Sequence, residues 1–157
     1  MAANTSVATS AGSTLHCVAS APGSYDSTGY DALSWVAVGE VTNLGEFGRE
    51  FNLVTHNPVG VRSTQKFKGS YNEGTVNLTL GLQTDDAGQI LMKAASLLDV
   101  PYSFKVTTQN GDIYYFRALV MHWKVGVGSV DQITQATTTL EITTTSAGVG
   151  IVEKLAT

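Results

Sequence analysis

Thr75-Val76-Asn77-Leu78-Thr79-Leu80-Gly81-Leu82-Gln83 is the stretch that decides the fold class. Val76, Leu78, Leu80 and Leu82 alternate with Asn77, Thr79, Gly81 and Gln83, the two-residue period of a strand with one buried and one polar face. At about 3.3 Å per residue, such a strand runs roughly 30 Å. Just downstream the period changes to that of a helix, expected over about 86–98. Asp85 or Asp86 caps it, and Gln89 stands in the capping-box position three residues after Asp86. Ile90, Leu91, Ala94, Leu97 and Leu98 then share one face. Asp99-Val100-Pro101 ends the helix, since proline disfavours helical backbone before it and cannot extend the ladder.

Working outward, Asn110-Gly111 marks a hairpin with a type I′ turn. That register sets Val106 opposite Tyr115 and Phe104 opposite Arg117. The second strand is apolar on both sides, with Tyr115, Leu119 and Met121 on one and Tyr114, Phe116, Ala118 and Val120 on the other. Such a strand is covered on both faces. From Thr137 to Thr145 the alternation returns, Leu140 and Ile142 inward and Thr139, Glu141 and Thr143 outward. Upstream, strands are expected across Leu33–Val38, Glu40–Leu44 and Asn52–His56. Many strands and one helix make a mainly β fold, a β-sandwich or partial barrel with one flanking helix, in a single domain over 1–157. Residues 1–30, rich in Ser, Thr, Ala and Gly, read as an extended N-terminal arm ordered by contact with something else, and 143–157 as a C-terminal tail.

Composition narrows the function. Charged residues make up 14% of the chain, well under the roughly 25% of an average domain. Twenty threonines help to fill the gap. A polar, sparsely charged surface suits a protein covered by copies of itself, because few ions are desolvated on assembly. The net charge of −4 argues against a nucleic-acid binder, which needs clustered cations. The first basic residue is Arg49, so no secretory signal with a positive leading segment is expected. No apolar run approaches the ~18 residues of a membrane span. Cys17 is the lone cysteine and leaves no intrachain disulfide. The reading expects cytosolic synthesis.

A search for chemistry finds none. His16, His56 and His122 lie in separate segments, and Cys17 points away from its neighbour His16 in an extended chain. No nucleophile elbow is present. Asp85-Asp86 is explained by a helix start, and no lysine follows the glycines at phosphate-loop spacing. The expectation is no catalytic residue, no metal and no cofactor. The basic residues say more. Arg49, Arg62, Lys66 and Lys68 are four of nine positive charges, near Glu40, Glu46 and Glu50. Two readings fit them: a solvated hairpin, or a protruding loop that docks on a neighbouring copy by charge, anchored by Phe47 and Phe51. The contact candidates are Phe47, Arg49, Glu50, Phe51, Arg62, Lys66 and Lys68.

The run Trp35-Val-Ala-Val-Gly-Glu-Val-Thr-Asn-Leu-Gly-Glu-Phe-Gly-Arg49, then Val54-Thr-His-Asn-Pro58 and Lys66-Phe-Lys-Gly-Ser70, resembles the major tail tube proteins of long-tailed (siphophage-type) bacteriophages. The resemblance continues through Leu78–Gln83, Asp86-Ala-Gly-Gln-Ile-Leu91, the Tyr102 hairpin and Thr139-Leu-Glu-Ile142, and the order of the pieces carries it. It implies a β-sandwich with a flanking helix, built into hexameric rings that stack into the tail tube, the conduit for DNA ejection. It further implies a stacking loop over 45–70 and an inner wall from Thr75–Gln83 and the 102–122 hairpin. Asn77, Thr79, Gln83, Ser103, Lys105 and Thr107 would then line the lumen. Implied partners are further copies of the chain, the tape measure, the tail terminator and the distal tail protein, with DNA as transiting cargo and no membrane. The implied location is the virion. The alternative is a carbohydrate- or surface-binding β-sandwich module, with Trp35, Trp123, Tyr25 and Tyr30 stacking on sugars.

Overall fold

The computed structural model describes residues 7–156. Residues 1–6 of the expected arm and Thr157 lie outside them. The alternating stretch forms a strand over Thr75–Gly81, with Val76, Leu78 and Leu80 buried and Asn77 exposed. Numbered in chain order, the strands are β1 (Thr14–Val18), β2 (Val36–Val38), β3 (Val41–Asn43), β4 (Glu50–His56), β5 (Gln65–Asn72), β6 (Thr75–Gly81), β7 (Tyr102–Thr107), β8 (Ile113–Gly126), β9 (Gln135–Thr143) and β10 (Val152–Lys154). Two helices join them, α1 (Ser27–Asp31) and α2 (Ala87–Ala95). Eight strands make one antiparallel sheet in the order β2-β1-β7-β8-β9-β6-β3, with β10 also on β8. β4 and β5 pair only with each other.

The two ends of that order, β2 and β3, are separated in sequence by Gly39 and Glu40 alone. Three Cα steps reach about 11 Å at most, so the sheet curls until its ends nearly meet. The result is a partial barrel. Side chains close the seam. Buried Gln89 donates through Nε2 to the carbonyls of Gly39 (3.0 Å) and Gly81 (2.9 Å), and its Oε1 accepts from the Gln83 amide (2.9 Å). Asp86 caps α2 by accepting from the Gln89 amide at 3.0 Å, and also accepts from Gly39 at 3.1 Å. The cap is as expected, but Gln89 ties strand ends together instead of completing a capping box.

Four other expectations are corrected. α2 ends at Ala95 and buries Gly88, Gln89, Met92 and Ala95. Of the face read from sequence only Leu91 packs against the core; Ile90 is 52% and Leu97 83% exposed. The cause is Gly88: a Cβ there would sit 2.3 Å from the Ala37 carbonyl oxygen, so the helix rests on β2 at its glycine. The hairpin register is shifted by one, Val106 opposite Tyr114 and Phe104 opposite Phe116. Gly111 takes φ +92° and its amide donates to Thr108, which makes a three-residue loop in place of a two-residue one. The shift seats Phe104 against Phe116 in the core.

Residues 14–30 are not an arm. β1 lies inside the sheet between β2 and β7 and buries Leu15 and Cys17. Tyr30 stacks on Tyr115 with ring centroids 5.1 Å apart, and Trp35 lies tilted beside Tyr115 at 6.0 Å. The second face of β8 is therefore covered there by its own chain. The C-terminal segment is not a free tail, since β10 pairs with β8 and Lys154 bonds Asp31 at 2.7 Å. Burial pushes the Asp31 carboxyl up, and donation from Lys154 and Tyr115 outweighs it, holding the group below its usual range.

Candidate functional site

β4 and β5 form a ribbon that stands away from the barrel. Every residue of both strands is exposed except the half-buried Gly69. An isolated two-stranded ribbon is marginal in water, and this one gains support only at its base. There Arg49 bonds the buried Glu73 at 2.8 Å and lies 3.9 Å over the Tyr71 ring. Tyr71 packs on Phe51 at 5.3 Å, and Lys68 sits 4.6 Å over Phe51. Beyond this ladder of cations and rings the ribbon carries large apolar side chains in solvent. Val54 faces Phe67 across the strands, Leu53 faces Lys68, and Leu53 and Phe67 are 66% and 55% exposed. The loop at its tip adds the exposed Val59 and Val61. Apolar groups clustered this way on one projection mark an interaction surface.

The contact candidates fall into two groups. Phe47 packs against the core, 5.2 Å from Tyr114 and 5.7 Å from Phe116, so it anchors the base of the ribbon within its own chain. Arg49 is held by Glu73 and Tyr71, and Lys68 and Phe51 by each other. Arg62 and Lys66 are exposed and form no ion pair among the described residues, and Glu50 is exposed beside Asn72.

The lumen candidates also separate. Asn77 and Thr79 share a polar face that crosses β6, β9 and β8. Along it Thr139 donates to Asn77 Oδ1 at 3.0 Å and lies 2.9 Å from His122 Nε2, while Thr75 donates to Glu141 at 2.8 Å. Thr137 and His122 were missed from sequence. Strand alternation from Thr139 signals Thr137, but His122 comes into line only because a bulge after Val120 resets the register. The face carries Lys124 and Arg117 as well as Glu141, so its charge is mixed. Gln83 is exposed past the end of β6. Ser103 cannot line a lumen. It is fully buried, donating to the Ser20 carbonyl at 2.7 Å and accepting from Arg117 at 3.0 Å. Lys105 extends over Trp35 at 5.4 Å, and Thr107 is half-buried at the end of β7.

At the far end of the sheet a groove of about 250 Å³ opens between α2 and the end of β8, with Leu82, Ile90, Trp123 and Val125 among its walls. The aromatics weighed for sugar stacking do not form one platform: Tyr30 is buried, Trp35 packs beside it, and Trp123 belongs to this distant groove. Among the described residues no three His, Cys, Asp or Glu side chains are grouped to hold a metal. No described helix is long and apolar enough to cross a membrane. The Cys17 thiol is buried, and that burial, with Asp86 nearby, pushes it up to about 12.

No family model and no curated protein matches the chain. Solved structures do. A chain of the six-fold symmetrised cryo-EM structure of the anti-feeding prophage baseplate superposes with a TM-score of 0.69, over 97% of this chain and 98% of that one, at 10% identity. A chain of the SPP1 tail tube, from solid-state NMR and cryo-EM, gives 0.58 over 90% and 76% at 11% identity. The fold is tail-tube-like. A crystal structure of an Hcp protein gives 0.44 over 90% and 97% at 12% identity, too loose a likeness to argue from. At such identities the tail-tube-like likeness is one of fold, and residue roles come from this chain alone.

Proposed function

We propose that the chain is a non-enzymatic structural subunit that self-assembles into the tail tube of a long-tailed bacteriophage. In this reading six copies form a ring, rings stack into a tube, and DNA is conducted through it on ejection. The observation that carries it is the ribbon: a tail-tube-like barrel projects two exposed strands whose apolar side chains its own chain leaves uncovered. The region 45–70 is the stacking loop, anchored within the chain by Phe47 and presented to a neighbour through Arg62, Lys66 and the valines of its tip. The polar face around Asn77, Thr79 and Thr139 lines the lumen. Hydroxyl and amide groups already bonded to one another, with mixed charge, offer little for phosphates to hold. Tape measure, tail terminator and distal tail proteins would meet the tube along its length and at its ends, in the virion.

Charge reversal tests the loop's role. Arg62→Glu with Lys66→Glu touches two exposed side chains without ion pairs. The melting temperature should stay within about 2 °C of wild type, as for ordinary surface changes, while sedimentation shows assembly lost or strongly weakened. Undiminished assembly of this variant would remove the loop from the contact.

A further inference from the structure

We infer that the cavity beside Arg117 is a binding site for a small carboxylate carried on an apolar body, a role separate from assembly. The cavity holds about 360 Å³ between α1, the residue before β7 and the turn after β9. Arg117 and Thr143 face each other across the β8–β9 ladder, and both line it. The half-buried guanidinium is held from several directions. Nη1 donates to the Ser20 carbonyl at 3.2 Å and to Ser103 Oγ at 3.0 Å, and Nη2 donates to the Pro101 carbonyl. These partners are all neutral, and Arg117 forms no ion pair among the described residues. The carboxylates nearest in the fold are committed elsewhere: Asp31 to Lys154 and Tyr115, Glu73 to Arg49, and Glu141 to Thr75. Three of the five guanidinium N–H groups are used, which leaves Nε–H and one on Nη2. A guanidinium fixed by neutral acceptors keeps its charge for an anion, and a carboxylate is the planar partner its remaining donors match.

The walls define the rest of the ligand. Tyr25 meets Tyr30 edge-on with ring centroids 6.3 Å apart and stays 40% exposed, so aromatic surface is left for a ligand to cover. Pro101 and Val149 add apolar area. Thr143, Thr144 and Ser146 bring hydroxyl groups that can donate to the remaining carboxylate lone pairs. The turn that carries them is already built. The Thr145 amide donates to the Val149 carbonyl at 3.0 Å, and the Val149 amide to Thr145 Oγ1 at 3.1 Å. Tyr71 backs the turn by donating to the Gly148 carbonyl at 3.3 Å. A bare phosphate would leave most of this space empty and the tyrosine wall uncovered. A carboxylate on an aromatic or branched apolar body uses both the charge and the wall.

Isothermal titration calorimetry of the dilute full chain with benzoate reads the site. A Kd of about 1 mM is expected, ordinary for so small a ligand. Neutral benzamide and inorganic phosphate should each bind at least about tenfold more weakly, the scale of one lost charge-assisted bond. Hydrogen exchange at the amides of Thr145, Gly148 and Val149 should slow in benzoate. Arg117→Gln should cost at least about tenfold in affinity, but it also removes bonds that brace Ser20 and Pro101. Thr143→Glu is therefore the decisive variant. Its carboxylate, directly across the ladder from Arg117, should occupy the guanidinium, keep the melting temperature at or above wild type, and abolish benzoate binding. Acetyl-Ala-Ala-Phe distinguishes the sources of the carboxylate. Binding tighter than benzoate and lost on amidation assigns the site to the end of a polypeptide, and binding no tighter assigns it to a free acid; both sustain the site. Three results would overturn it: no heat or protection from benzoate at about 50 mM, fifty times the expected Kd; benzamide or phosphate binding as tightly as benzoate; or a folded Thr143→Glu variant that binds benzoate undiminished. None of these outcomes bears on whether wild type forms tubes, so the tube reading stands or falls separately.

Discussion

Gln89 holds together a seam that no strand ladder closes. Its amide satisfies two carbonyls and one N–H from the turn between β2 and β3 and from the end of β6. Gln89→Ala would remove the partner of all three groups, two of them carbonyls of the half-buried Gly39 and Gly81. Equilibrium urea unfolding should show a loss of about 2–4 kcal/mol, since each buried polar group left unpaired costs roughly 1–3 kcal/mol. A loss below about 0.5 kcal/mol, the range of an ordinary surface change, would mean water substitutes freely and the seam is open. Sequence alone places Gln89 at a helix start, because Asp86 lies three residues before it. Its further partner, Gly39, is 50 residues away, and local spacing cannot show it. The same holds for Arg49. Its charge is legible, but its commitment to Glu73 appears only once the ribbon folds back. Arg62 and Lys66 are thus the cleaner probes of docking.

Among the elements, the ribbon is the one whose stability and purpose diverge. Replacing residues 53–68 by an Asn-Gly turn keeps the Phe51–Tyr71 pair and the Arg49–Glu73 bond at the base. Thermal unfolding followed by circular dichroism should move by less than about 3 °C, because the deleted residues are exposed and bury little in the chain. Assembly, followed by light scattering, should disappear. A collapse of the fold would instead make the ribbon part of the core. β6 and β9 were legible because each carries a clean two-residue period over one buried face. The hairpin between β7 and β8 was legible as a hairpin but not in register. Asn110-Gly111 fits two loop lengths, and burial of Phe104 against Phe116 selects the longer. The buried stripe of α2 was missed because its closest point is Gly88, which carries no hydrophobic signal. β1 was missed because only Leu15 and Cys17 of its five residues face the core, too short a pattern to stand out from the polar run around it.

On the scale of the whole molecule, the chain hides more of itself than composition implies. The aromatic second face of β8, expected to be covered, is sheltered by Tyr30 and Trp35 of the same chain. What remains uncovered lies on the ribbon, on the outer face of α2, and along the end of β8 and the loop after it, where Val127, Val130 and Ile133 are exposed. Uncovered apolar surfaces at separate places on one small barrel are what the proposed open-ended self-association would use. Negative-stain electron microscopy of the wild-type protein, taken from dilute to concentrated solution across a range of salt, tests this most directly. The account predicts hollow rings or tubes with a central channel that grow with concentration. Compact single copies at every concentration and salt, with the ribbon amides already protected from hydrogen exchange, would contradict it.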